Sequence, residues 1–207
     1  MARVLLHPAA KPLLHVLCLL PLAWLVYAAA LDRLGANPAE ALIRSLGDWT
    51  LRLLCLTLAV TPLRLALGLP ALARFRRMLG VYTFGYAALH LLCYAGFDMG
   101  LDWGEIARDV VKRPFILVGM CGFVLLLLLA ATSFNRAIRW LGARRWQQLH
   151  RSVYLIAGLA ILHFFWMRAG KNDFAEVALY AAILAALLLA RLLRYLRGRF
   201  KVRSLSL

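Results

Sequence analysis

Six apolar stretches, each long enough to cross a lipid bilayer, alternate with short polar segments along the chain. They lie at about residues 13–31, 48–67, 79–97, 115–133, 149–167 and 174–196. A helix of about 20 mostly apolar residues spans the hydrocarbon core of a bilayer, and the backbone groups of such a helix are all hydrogen-bonded internally. The pattern therefore predicts an all-α integral membrane protein. We expect a six-transmembrane-helix bundle in which residues 1–207 form a single domain.

Composition agrees with this pattern. Hydrophobic residues make up 64% of the chain, and the mean hydropathy is +0.77, whereas soluble domains are roughly half apolar. The first apolar stretch is longer than the core of a signal peptide and has no clear small-x-small cleavage site, so we expect it to be a retained span. The chain has no room for a nucleotide-binding domain of roughly 100 residues. A soluble electron source would therefore be a separate protein.

The charges predict an orientation. The chain has 25 Lys and Arg and 9 Asp and Glu, and its formal net charge is +16. Because the bases cluster between apolar stretches, they indicate the positive-inside rule rather than nucleic-acid binding. With both termini in the cytoplasm, 17 bases and no acid face the cytoplasm, while seven bases and all nine acids face the other side. Arg52, the remaining base, lies inside the second span.

Two histidines lie at similar depths in parallel spans. His90 is about 11 residues into the third span, and His163 is about 14 residues into the fifth. At about 1.5 Å per residue, both are past the middle of the bilayer on its outer side. Ionisable residues inside a span are functional by default, and imidazole is the commonest metal-binding side chain. We therefore predict that His90 and His163 hold an outer haem between them.

A third histidine, His150, lies near the cytoplasmic face, 13 residues before His163 and roughly 20 Å away along the helix. Thirteen residues leave an ideal helix about 140° out of phase, so His150 and His163 share a face only if the helix is irregular. A histidine partner for His150 is expected about 14 residues before His90. Arg76 and Arg77 stand there instead. These two helices therefore cannot supply a second pair of histidine ligands.

The motifs resemble the ferric reductase-like transmembrane domain that NADPH oxidases, ferric reductases and STEAP proteins share. Within it, the chain is most similar to the haem-binding membrane subunits of bacterial periplasmic methionine sulfoxide reductases. The resemblance covers roughly residues 10–200, and a Trp-x-x-Leu-His-Arg segment with a second histidine 13 residues later is its more specific part. The segments that carry it are 47–49 (Gly-Asp-Trp), 58–64 (Leu-Ala-Val-Thr-Pro-Leu-Arg), 76–80 (Arg-Arg-Met-Leu-Gly), His90, 145–155 (Arg-Trp-Gln-Gln-Leu-His-Arg-Ser-Val-Tyr-Leu) and His163.

The resemblance implies cofactors and partners. Such subunits are associated with haem b and FMN in the bacterial inner membrane. They receive electrons from a cytosolic flavin reductase and deliver them to a periplasmic molybdenum-dependent methionine sulfoxide reductase. The chain would then be an oxidoreductase component rather than a stand-alone enzyme. Two alternatives stay open for the inner site: FMN with His150 lining it, or a second haem on His150 with an unusual partner.

Basic side chains near the cytoplasmic face suit the phosphate of a flavin, because guanidinium groups bind phosphate with paired hydrogen bonds. The candidate cofactor-binding residues are Arg74, Arg76, Arg77, Arg144, Arg145 and Trp146. Trp146 could stack on the flavin ring. The alternative interpretation is a positive-inside patch with an interfacial aromatic residue. Arg52 could pair with a haem propionate or with Asp48, and the one-turn spacing favours Asp48.

Two other functions are compatible with six spans and intramembrane histidines. A quinol-linked cytochrome b would need a quinone pocket, which the sequence neither shows nor excludes. A proton-coupled transporter could use His90 and His163 as a proton relay. Transporters typically have internal repeats or broken helices, and the sequence pattern reveals neither. We therefore favour electron transfer.

Overall fold

The computed structural model describes residues 2–170 and 172–203, which form helices and connecting turns without a β-strand. Lys171, one of the seven bases predicted on the periplasmic side, lies outside the described residues. So do the side chains of Arg3, Arg197, Arg199, Lys201 and Arg203. The α-helices are α1 (Ala2–Leu6), α2 (Ala10–Ala30), α3 (Pro38–Ala66), α4 (Arg76–Cys93), α5 (Trp103–Lys112), α6 (Pro114–Ala131), α7 (Asn135–His150), α8 (Val153–Ala169) and α9 (Ala175–Arg203).

Six helical segments are long and apolar enough to cross a membrane, which confirms the predicted fold class. They are Ala10–Ala30, Pro38–Ala66, Pro70–Asp98, Pro114–Ala131, Asn135–Ala169 and Ala175–Leu196. The second begins at Pro38 rather than near residue 48, because its first turns carry Glu40, Arg44 and Asp48 and hence fall outside an apolar pattern. The third extends back to Pro70 through a 3₁₀ helix that ends at Phe75.

The six spans alternate in direction, so the connecting segments gather at two ends of the bundle. We call them the basic end (residues 2–9, 67–75 and 132–142) and the acidic end (residues 31–37, 99–113 and 170–174). At the acidic end, Asn37 caps α3 by accepting a hydrogen bond from the Glu40 amide at 3.2 Å. Asp102 caps α5 in the same way through the Glu105 amide at 2.9 Å. Such caps satisfy amides that have no partner inside the helix, and they fix where both helices begin.

Several helices are interrupted. Gly142, with φ of 75°, breaks the backbone of α7. Arg151 and Ser152 separate α7 from α8 through tight turns, in which the Ser152 amide donates to the Leu149 carbonyl at 3.0 Å. A π-helical turn from Tyr94 to Asp98 follows α4. The expectation of unbroken helices was wrong, because single-residue breaks leave the apolar pattern unchanged. The junction at 151–152 is the irregularity that the spacing of His150 and His163 required.

The centre of the bundle consists of two helix pairs, α3 with α4 and α6 with α8, and α9 packs against α3 and α8. Leu54, Leu58, Ile156 and Ala157 are at most 2% exposed and form the core where these helices meet. Large leucines on the outer faces of the helices are exposed in the isolated chain, as expected where lipid is the solvent. The central pairs hold the candidate functional residues.

Candidate functional site

His90 projects from α4 towards α3. Its Nδ1 lies 2.8 Å from the backbone carbonyl oxygen of Ile43. A carbonyl oxygen only accepts hydrogen bonds, so Nδ1 carries the proton and Nε2 has a free lone pair. Such a second-shell bond fixes the tautomer and the orientation of metal-binding histidines. His90 is therefore held in the form that can bind a metal.

His163 is held in the same way on the other helix pair. It projects from α8 towards α6, and its Nδ1 lies 2.6 Å from the carbonyl oxygen of Phe115. The Nε2 atom again keeps its lone pair. Two separate helix carbonyls thus set two imidazoles in the same protonation state.

The two imidazoles face each other at the distance that one metal ion requires. Their ring centroids are 6.3 Å apart, and the ring planes are nearly perpendicular at 85°. A metal–imidazole bond is about 2 Å long and the ring centre lies roughly 1 Å behind the nitrogen, so two imidazoles on opposite sides of a metal have centroids about 6 Å apart. The pair fits an iron with one axial imidazole on each face.

A glycine lies behind each histidine. A Cβ atom at Gly47 of α3 would lie 3.2 Å from the His90 ring, and one at Gly119 of α6 would lie 2.8 Å from Nδ1 of His163. Gly47 and Gly119 each follow, by one turn, the residue whose carbonyl binds the histidine. The missing side chains therefore make the space in which each imidazole packs against the neighbouring helix.

Both histidines line a cavity of about 560 Å³ that we call the His90–His163 cavity. Its mouth at the acidic end carries ion pairs. Arg113 pairs with Asp109 at 2.9 Å, and Arg168 pairs with Asp173 at 3.0 Å. A pocket of this size, apolar inside with polar groups at its rim, is typical of a cofactor site.

A second cavity, of about 510 Å³, lies towards the basic end. We call it the arginine cavity, because its lining includes four arginines and, among the residues described, no Asp or Glu. These arginines are Arg76, Arg77, Arg151 and Arg191. An unpaired charge away from water is costly, so a cavity with several guanidinium groups and no carboxylate favours an anionic occupant.

His150 and Trp146 also line the arginine cavity. Their rings stack, with centroids 4.0 Å apart and an interplanar angle of 27°. Thr132 holds both, because its hydroxyl lies 3.1 Å from His150 Nε2 and its carbonyl accepts from Trp146 Nε1 at 2.8 Å. The structure therefore brings four of the predicted inner-site residues together: Arg76, Arg77, Trp146 and His150.

Three of the predicted cofactor-binding arginines do not line this cavity. Arg74 is turned away and donates to the Leu5 carbonyl of α1 at 3.0 Å. Arg144 and Arg145 are exposed, because Trp146 and His150, one turn apart, occupy the cavity-facing side of α7. A run of basic residues in the sequence does not show which of them face inward.

Arg52 does not pair with Asp48 as the spacing suggested. Its Nε donates to the hydroxyl of Tyr180 on α9 at 3.0 Å, and its guanidinium group lies over the Trp49 ring at 4.8 Å. Packing of α9 against α3 therefore takes precedence over the contact one turn away along the helix.

A thin partition separates the two cavities. Leu54 and Leu126 are the only described residues that line both. One leucine comes from α3 and the other from α6. An occupant of either cavity therefore contacts the same two side chains.

The two helix pairs repeat one arrangement. Positions separated by 72 residues on α3 and α6, or by 73 on α4 and α8, occupy equivalent places in the lining. The equivalent pairs include Ile43 with Phe115, Gly47 with Gly119, Leu54 with Leu126, Ala87 with Ala160 and His90 with His163. The expectation of no internal repeat was therefore wrong. The repeat is one of geometry, and it also makes Arg77, rather than Arg76, the counterpart of His150.

Sequence reasoning missed Gly47, Gly119 and Arg191 as cavity residues. The glycines had a detectable signal, since each precedes its histidine by 43 or 44 positions on the preceding span of a pair. Arg191 had none, because basic residues at the end of the last span are expected from the positive-inside rule alone.

Residues 46–161 match the model of the family described as ferric reductase like transmembrane component. This match covers more than half of the chain and includes all three histidines of the two cavities. No solved structure matches the chain.

Several curated proteins are similar over nearly their whole length. A protein of Polaromonas naphthalenivorans is 68% identical over 89% of this chain and 84% of its own. One of Ralstonia nicotianae is 55% identical over 88% and 84%, and one of Bordetella pertussis is 52% identical over 93% of each chain. Each is named protein-methionine-sulfoxide reductase heme-binding subunit MsrQ.

Proposed function

Since the chain belongs to the ferric reductase-like transmembrane family, and within it to the MsrQ subunits, we propose that it is a haem b electron-transfer subunit of a methionine sulfoxide reductase system. It carries electrons across the bacterial inner membrane to a periplasmic molybdenum-dependent reductase that repairs oxidised methionine. The whole chain, residues 1–207, acts as one membrane domain.

The observation that carries this proposal is the geometry of His90 and His163. The two imidazoles are 6.3 Å apart between centroids and keep Nε2 free, which suits the two axial positions of one haem iron. No group of three or more His, Cys, Asp or Glu side chains in the described residues could hold a metal on its own. A porphyrin supplies the four further nitrogen ligands that the iron needs.

The haem is of the b type, because the sequence has no Cys-x-x-Cys-His motif for covalent attachment. When bound, it supplies a one-electron redox centre. The protein holds and orients the macrocycle through His90 and His163, and the surrounding core residues keep water from its faces.

We assign the arginine cavity to FMN. Arg76 and Arg77 supply positive charge, and Trp146 and His150 supply aromatic surface. Arginine has no lone pair to offer a metal, so Arg77 cannot complete a second haem site opposite His150. A cytosolic flavin reductase is the electron donor, because the cavity lies towards the basic end.

The orientation follows from charge. The basic end and both termini face the cytoplasm, and the acidic end faces the periplasm. The His90–His163 cavity is then on the side of the periplasmic partner, and the arginine cavity is on the side of the donor. The two cavities lie in the order that outward electron transfer needs.

Replacing the axial histidines tests the proposal. We expect His90→Ala and His163→Ala each to abolish the low-spin bis-histidine spectrum and to lower the haem content of the purified protein from about one per chain to near zero. His15→Ala is the matched control, since His15 bonds to Tyr82 at 2.9 Å and lines neither cavity.

A full and unshifted haem spectrum in both alanine variants would contradict the ligand assignment. A colourless wild-type protein that still moves a solute would instead support the proton-coupled transporter. Reduction of the haem by a quinol in the absence of any flavoprotein would support the quinol-linked cytochrome b.

A further inference from the structure

Arg191 reaches the arginine cavity from the last span, where no motif pointed to it. Its Nη1 donates to the Tyr154 hydroxyl at 2.8 Å, and its Nη2 donates to the Leu58 carbonyl at 2.5 Å. The guanidinium group also lies over the Tyr154 ring at 5.4 Å. The side chain is therefore fixed by α3, α8 and α9 together, and is not one of the mobile bases expected at a membrane surface.

The guanidinium group of Arg191 is incompletely satisfied. Its Nε is buried and has no hydrogen-bond partner in the described part of the chain. Arginine has five N–H donors, of which Tyr154 and Leu58 account for two. A buried donor left without a partner costs free energy, so a fixed guanidinium group with free donors indicates a missing acceptor.

The other arginines of the cavity differ in how far they are already committed. Arg77 donates to Asn135 Oδ1 at 2.8 Å, whereas the bond from Arg76 to the Thr61 hydroxyl is long at 3.4 Å. Arg76 and Arg191 therefore have the most capacity for an anion. One comes from the start of α4 and the other from α9, so an anion between them would connect the last span to the central helix pairs.

We propose that Arg191 binds the phosphate of the inner cofactor, together with Arg76. The ligand class is a phosphate monoester that carries a ring system, and the inference rests on the assignment of FMN to this cavity. Two guanidinium groups match the charge of a phosphate dianion, and guanidinium forks suit its oxygens. Arg191 is thus a cofactor-binding residue of the sixth span.

Comparing FMN with riboflavin tests this role, because the two differ only in the phosphate. Dissociation constants of both are measured by flavin fluorescence on the haem-loaded, flavin-depleted protein. We expect Arg191→Gln to weaken FMN binding by about tenfold to a hundredfold, as for a lost charge-assisted hydrogen bond, and to leave riboflavin binding unchanged. Arg191→Lys keeps the charge but not the fork, so it falls between the two.

Arg194→Gln is the matched control. Arg194 lies one turn later on α9, is exposed and does not line the cavity, so both flavins bind this variant as they bind the wild type. Tyr154→Phe keeps the ring beneath the guanidinium group and removes only its hydroxyl acceptor. We expect a smaller loss of FMN affinity there, again without an effect on riboflavin.

The outcomes separate the two proposals. If the wild type prefers FMN and Arg191→Gln keeps that preference, the role of Arg191 is wrong and the FMN assignment stands. Equal losses for FMN and riboflavin in Arg191→Gln would mean that Arg191 only shapes the fold, and would also overturn the inference. A wild type that binds neither flavin overturns the FMN assignment and, with it, the inference.

Discussion

Each axial histidine depends on an atom that is missing beside it. Gly47 and Gly119 have no Cβ, and each imidazole occupies the space that a Cβ would take. The contact is closer at Gly119, where the added atom would lie 2.8 Å from Nδ1 of His163, than at Gly47, where the nearest ring atom would be at 3.2 Å. The carbonyl of Phe115 fixes His163 from the same helix, so a displaced ring loses its orienting bond as well.

We predict that Gly119→Ala disturbs haem binding without unfolding the protein. Overpacking of this kind costs about 1–3 kcal/mol, and here it acts directly on a ligand. The expected result is a lower haem content per chain and a shifted reduction potential, measured by pyridine haemochrome and by redox titration. Gly122→Ala is the control, because its Cβ would meet only Leu159 at an ordinary 3.8 Å. A wild-type potential and haem content in Gly119→Ala would show that the ring is not confined by α6.

At the scale of the elements, the break between α7 and α8 separates two functions that a single helix would have joined. His150 is the last residue of α7, and His163 lies in α8, which begins at Val153. The turn at 151–152 directs His150 into the arginine cavity, while His163 serves the other cavity. One apolar stretch of the sequence therefore contributes to two sites.

We predict that His150→Ala retains the full haem content and weakens FMN binding. Loss of one face of a stacked aromatic pair costs about 0.5–1.5 kcal/mol, which corresponds to roughly a two- to tenfold loss of affinity. Haem and FMN are quantified per chain in the same preparation, with His7→Ala as the control. Loss of half the haem with FMN retained would mean that His150 holds a second haem.

The sequence predicted the elements better than the contacts between them. Apolar stretches identified six spans, and depth arithmetic paired His90 with His163, because a regular helix converts residue number into height. The same arithmetic could not show that α7 ends at His150 or that Arg191 turns inward. Those features depend on backbone breaks and on packing between distant helices, and no short-range pattern encodes either.

At the scale of the whole molecule, charge is distributed along the membrane normal. The described residues lining the arginine cavity include no carboxylate, whereas Asp109, Asp173 and Glu176 form ion pairs at the acidic end. The amphipathic helix α5 also lies there, with Trp103 and Val111 exposed at 74% and 80%. An exposed tryptophan on such a helix is typical of the membrane interface, and places α5 at the surface of the bilayer.

We predict that reporter fusions will show both termini in the cytoplasm. Fusions at residues 70, 140 and 200 should read as cytoplasmic, and fusions at residues 40, 105 and 171 as periplasmic, because the excess of Lys and Arg retains loops on the cytoplasmic side. Paired alkaline phosphatase and fluorescent protein fusions at the same sites control for expression. A periplasmic carboxyl terminus would reverse the proposed direction of electron transfer.

The leucine partition has a bioenergetic consequence. Because Leu54 and Leu126 are the only described residues common to both cavities, the shared wall offers no ionisable group that could relay a proton. An electron that crosses it moves without a compensating proton. In the proposed orientation it carries negative charge out of a cell whose interior is negative, and the membrane potential contributes about 2.3 kcal/mol per electron for each 100 mV crossed. Methionine repair outside the cell would thus be driven partly by the membrane voltage, and each electron delivered would partly discharge it.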